Sequence, residues 1–157
     1  MSTNLISFFA LVLLLTTACQ PVPEPVIEAT SSAPVFHPSH EPTKAKAPFS
    51  DAVQVGNLYF LSGQIGMNQQ TRTLVTGGIE AETKQALENI KDVLAHHDLE
   101  MKDVVKALVV LDNINDFAAF NSIYQEYFPQ KPARTTFAAE ALAAGALIEI
   151  EVVAVRE

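Results

Sequence analysis

Two hydrophobic periods run through the chain after residue 48, and each marks a kind of element. In "VQVGNLYFLSG" apolar residues alternate on both sides of Gly56-Asn57, which predicts two short strands joined by a tight turn. Gly63 closes the second strand at a point where the backbone must bend or approach something closely. After Gly77-Gly78 the spacing lengthens, with Ile79, Ala86, Ile90, Val93 and Leu94 on one face of an amphipathic helix of about five turns. "VVKALVVLDNI" is a continuous apolar run and predicts a buried strand. Asn115 is a good N-cap for a second helix, whose Phe117, Phe120, Tyr124 and Phe128 form an aromatic core stripe. "ARTTFAAEAL" and "ALIEIEVVAV" then predict two more strands, linked through Gly145.

The last strand carries apolar side chains on both faces. Ile148, Ile150, Val152 and Ala154 share one, while Leu147, Glu149, Glu151, Val153 and Val155 share the other. Two helices can cover only one side of such a sheet. The other side calls for a second cover, most economically another copy of the chain.

Arg134 raises the chemical question. It lies near the start of a strand, and an arginine drawn into a sheet needs an anion. Either Glu149 or Glu151 neutralises it at a subunit interface, or its partner is the carboxylate of a ligand.

Composition narrows the choices. The chain has 157 residues, 48% of them hydrophobic, enough for one domain with a core of its own. A formal net charge of −8 and the lack of a basic stripe argue against RNA or DNA as a partner. Cys19 is the only cysteine, so no internal disulfide can form, and with His37, His40, His96 and His97 a Cys/His metal cluster has little to be built from. The adjacent His96 and His97 point in two directions and read as a satisfied or solvated pair. With no thiol in the domain and no histidine near Arg134 in sequence, a nucleophile with an adjacent base is hard to assemble. Hydrolysis of a C=N bond asks for less, because its carbon is already electrophilic. A guanidinium to orient the substrate and one carboxylate acting through water suffice.

The amino terminus reads as targeting sequence. Residues 5–15, "LISFFALVLLL", have signal-peptide length and are followed by "TTAC", similar to a bacterial lipoprotein signal with Cys19 as the lipidated residue. Residues 1–18 are then the signal, and residues 19–47, rich in proline, a tether reaching about 30 Å as a random coil. The expected location is outside the cytoplasm, membrane-anchored and facing the periplasm or cell exterior. An ordinary secretory signal, giving a soluble exported protein, is the alternative.

Four ordered segments, "FLSGQIG", "INDFAAFNSIYQEYF", "KPARTTF" and "IEIEVVAVRE", resemble the signatures of the Rid family (YjgF, reactive intermediate deaminases), most closely its RidA branch. The resemblance spans residues 48–157. It implies an α+β, chorismate-mutase-like (YjgF-type) fold, a mixed sheet packed on two helices, assembled as a homotrimer with clefts between subunits. It also implies hydrolysis of enamines and imines to 2-keto acids and ammonium without metal or organic cofactor. Arg134 would clamp the substrate carboxylate and Glu149 would position or activate the attacking water, with Phe49, Ser62, Gly63 and Asn121 lining the cleft. Phe49 stands where the family usually has tyrosine, Gly66 where proline is common, and Thr136 in place of a frequent cysteine. Two other readings stay open: a non-catalytic module that binds small carboxylates or keto acids, and the endoribonuclease activity attached to some relatives.

Overall fold

The computed structural model describes residues 33–157. The signal, Cys19 and the first part of the tether lie outside them. The fold is α+β, as expected. Eight strands comprise β1 (Val35–His37), β2 (Ala52–Val55), β3 (Leu58–Ile65), β4 (Met67–Asn68), β5 (Thr73–Leu74), β6 (Val104–Leu111), β7 (Ala133–Ala138) and β8 (Ile148–Val155). Two helices, α1 (Gly78–Ala95) and α2 (Phe117–Tyr127), interrupt the series.

Six strands form one mixed sheet in the order β1-β2-β3-β8-β6-β7, and β4 with β5 makes a separate small hairpin. β6 and β7 run parallel through the α2 crossover, and the other neighbours in the sheet are antiparallel. Both helices cover one face. There Leu87, Ile90 and Leu94 of α1 meet Val109 and Leu111 of β6 and Ile148, Ile150 and Val152 of β8, all buried. Each such side chain contributes about 1.5–3 kcal/mol by leaving water.

The opposite face has no cover within the described residues. The register places Phe36, Val55, Phe60 and Phe137 on it with Val153 and Val155, and the first four are 67%, 38%, 44% and 46% exposed. An apolar surface of this kind marks an interaction site.

Four local expectations are corrected. The folded body begins before residue 47, the expected end of the tether, because β1 already pairs with β2 and a 3-10 turn follows at Pro42–Lys44. Gly63 does not end its strand. It sits at a register shift between Leu61 and Gln64, and β3 continues to Ile65. The capping side chain before the second helix is Asn113, which accepts from the Asn115 amide at 3.0 Å, and a 3-10 turn at Ile114–Asp116 precedes α2. Of the aromatic stripe, Phe120, Tyr124 and Phe128 are buried, but Phe117 is 40% exposed.

Candidate active site

Arg134 is the second residue of β7, an edge strand, and pairs in register with Ala107, whose side chain faces the helices. Its guanidinium therefore lies against α2. The carbon at its centre is 5.7 Å from the Phe117 ring centre, 5.1 Å from that of Phe120 and 4.6 Å from that of Tyr124. One nitrogen donates to Asn121 Oδ1 at 2.9 Å. Aromatic faces stabilise a cation without neutralising it. No carboxylate lies within ion-pairing distance of Arg134 among the described residues. Burial raises the pKa of the Tyr124 hydroxyl, against the opposing pull of the guanidinium, so it stays a neutral wall of this hollow.

Glu149 belongs to a different hollow. In β8 it pairs with Val110 and Ile65 and points to the uncovered face. A cleft of about 300 Å³ opens there, lined by Glu149, Gly63, Gln64, Phe49, Lys44 and Arg72 among others. Gly63 is required by contact: a Cβ at this position would lie 2.1 Å from Glu149 Oε1. The bulge and the missing side chain together let the carboxylate lie against the backbone of β3. Ser62 lines the adjoining hollow with Phe49, and its hydroxyl donates to the Ser50 carbonyl at 2.7 Å, fixing the loop that carries Phe49.

The six predicted residues thus fall into two groups. Asn121 and Arg134 form one, and Phe49, Ser62, Gly63 and Glu149 form the other. Arg134 and Glu149 are two strands apart and three positions out of register, roughly 14 Å in all, on opposite faces of the sheet. Neither Glu149 nor Glu151 neutralises Arg134 within one chain, because both share the uncovered face. The sequence reading missed Lys44 and Arg72. Lys44 lies in the stretch read as tether, and its amine approaches Gln64 Oε1 at 3.3 Å and Asp51 Oδ1 at 3.6 Å. Arg72 donates to Gln69 Oε1 at 2.8 Å at the tip of the β4-β5 hairpin. Nothing in their sequence neighbourhood signals a cleft.

A mixed sheet with two helices on one face, an uncovered apolar face, and an arginine with no carboxylate partner among the described residues, lying apart from a cleft carboxylate, define a small α+β domain whose candidate residues fall in two separate hollows. A family model described as "Endoribonuclease L-PSP" matches residues 39–156, and the chain belongs to that family. A relative from Dermatophagoides farinae named 2-iminobutanoate/2-iminopropanoate deaminase is 46% identical over 111 residues, covering 70% of this chain and 87% of the relative. The crystal structure of the YjgF gene product from E. coli superposes with a TM-score of 0.72 at 31% identity, covering 78% of this chain and 99% of that one. E. coli TdcF with bound serine matches at a TM-score of 0.66 and 30% identity, over 70% of this chain and 89% of that one.

Proposed function

We propose that the protein is an imine and enamine hydrolase acting on small substrates that carry a carboxylate next to the C=N carbon. The observation that carries this reading is Arg134, a cation walled by aromatic rings, held by Asn121 and without a carboxylate partner among the described residues. Its planar fork suits a ligand carboxylate. The deaminase named from D. farinae and the serine bound to E. coli TdcF point to the same substrate class.

The two halves of the site meet when β7 of one protomer lies beside the cleft of its neighbour. The uncovered apolar face supports a homotrimer built in this way, with three clefts between subunits. Arg134 of one subunit holds the substrate carboxylate. Glu149 of the next takes a proton from water as its oxygen bonds to the imine carbon, and the C=N π electrons move to nitrogen. Protonation of that nitrogen and cleavage of the C–N bond release ammonia, which leaves as ammonium, and the carbinol oxygen becomes the keto group of a 2-keto acid. An enamine enters by first taking a proton at carbon to become the imine. Lys44 and Arg72 make the cleft favourable for anions.

An RNA-cleaving role finds less support. The net charge of −8 repels a polyanion, and no histidine lines either hollow. The apolar run at residues 5–15 and the "TTAC" after it support an exported, lipid-anchored location. Mass spectrometry of the mature amino terminus tests this: an unmodified Met1 would refute it.

The activity is tested by adding the purified protein to imines generated in solution and following keto-acid release. Glu149→Gln keeps shape and removes the base. It is expected to lower kcat by roughly 10² to 10⁴ with ligand affinity changed only several fold. Arg134→Ala is expected to abolish binding and turnover together. A wild type that binds keto acids through Arg134 but accelerates no imine hydrolysis would make the protein a binding module.

A further inference from the structure

Two pairs of histidines far apart in sequence, His37 with His40 and His96 with His97, converge where the amino-terminal arm crosses the carboxyl end of α1. His37 packs on His97 with ring centres 4.5 Å apart, and His40 stacks on His96 at 4.4 Å. His40 stands among three carboxylates. Its Nε2 is 2.7 Å from Asp92 Oδ2 and 4.0 Å from Glu41 Oε1, and its Nδ1 is 3.5 Å from Oδ2 of Asp51, whose side chain is only 1% exposed. Asp51 is fixed in turn by the Ser39 hydroxyl at 2.6 Å and the Lys44 amine at 3.6 Å.

This arrangement gathers a ring nitrogen and two carboxylates around one point beside Nε2. The donor atoms of His40, Glu41 and Asp92 all lie within 4.8 Å of one another, a spacing a metal ion can draw together. Zinc bonds of about 2.0–2.2 Å place neighbouring ligands about 3.3 Å apart, so Asp92 would retreat by about half an ångström and Glu41 would close in.

We propose that His40, Glu41 and Asp92 form a zinc site, completed by His96, that staples the amino-terminal arm to α1. Asp92 and His96 are four residues apart and share one side of the helix end. His96 is exposed, so its ring can turn from stacking into coordination. Two imidazoles and two carboxylates suit zinc rather than calcium or magnesium, which prefer oxygen alone. Asp51 is the outer carboxylate that fixes the tautomer of the ligating ring. The staple also reaches the proposed active site, because Lys44, three residues after Glu41, lines the cleft of Glu149.

The test is a calorimetric titration of Zn²⁺ into the metal-free full chain in detergent, with melting curves before and after. One Zn²⁺ per chain is expected at micromolar concentrations, with a rise in Tm. Asp92→Asn should weaken binding by about tenfold or more. Its carboxylate is 61% exposed, so the metal-free protein should still fold and melt close to wild type. His40→Gln should lose the site as well, while His37→Gln, outside the ligand set, should bind as wild type does. No heat and no change in Tm with zinc, or zinc binding that survives both Asp92→Asn and His40→Gln, would overturn the proposal.

Discussion

Arg134 and Gly63 show how much of the candidate site rests on single residues. The arginine stands out in the sequence because its residue type, its place early in a strand and its need for an anion are all properties of the sequence. Its surroundings were not legible. That Phe117, Phe120 and Tyr124 would wall the guanidinium depends on where α2 lies against β7, which no local pattern states. The sequence marks Gly63 as a point of close approach but does not say what approaches it. The answer is the carboxylate of Glu149, and it leads to a prediction. The Cβ of Gly63→Ala would stand 2.1 Å from Oε1 and 2.8 Å from Cδ of Glu149, so the carboxylate must swing away while the backbone stays. A displacement of about 1 Å at a reacting group costs on the order of 10² in rate. Gly63→Ala is therefore expected to lower kcat by about that factor, with keto-acid affinity through Arg134 and Tm both near wild type. Unchanged kcat would mean that the position of Glu149 does not matter to the reaction.

At the scale of elements, long periodic segments were readable and short ones were not. α1 and the pair β6 and β8 follow from spacing alone, since each repeats its pattern over many residues. β1, β4 and β5 have two or three residues each and owe their conformation to a neighbouring strand. The start of β8 depends on another contact hidden from the sequence. Glu82, one of the buried residues of α1, accepts the Leu147 amide hydrogen at 2.9 Å, two residues before Glu149. Burial raises the Glu82 pKa above its ordinary 4.5, the Leu147 hydrogen bond lowers it, and the charge of Asp112 adds to the rise. A carboxyl group with a raised folded pKa contributes stability in full below its unfolded value and loses it as pH rises through the folded value. Glu82 therefore destabilises the wild type at neutral pH relative to acid. Glu82→Gln, which keeps an oxygen for the Leu147 amide, should melt higher than wild type near pH 7, with the difference shrinking as pH falls toward 4.5. A Tm difference that does not vary with pH would refute the assignment.

For the whole molecule, the sheet supplied the decisive clue. Apolar residues on both faces of the last strand meant that one face needed a cover from outside the chain, and Phe36, Val55, Phe60 and Phe137 enlarge that face across four strands. What the strand could not reveal is that the two candidate residues lie on opposite faces of the sheet, Arg134 on the helix side and Glu149 on the open side. A single chain has both groups but cannot bring them to one substrate. In the proposed trimer each cleft takes Arg134 from one subunit and Glu149 from the next, and this can be tested with two inactive variants. Arg134→Ala keeps an intact glutamate, and Glu149→Gln keeps an intact arginine. Each alone should form inactive trimers. Co-expressed in equal amounts and assembled at random, they should place an intact arginine beside an intact glutamate in about one quarter of the clefts, restoring about a quarter of wild-type turnover. Mixing the separately purified variants without exchange of subunits should restore nothing. If the co-assembled trimers stay as inactive as their parents, the two residues do not act across a subunit boundary, and the intersubunit cleft must be given up.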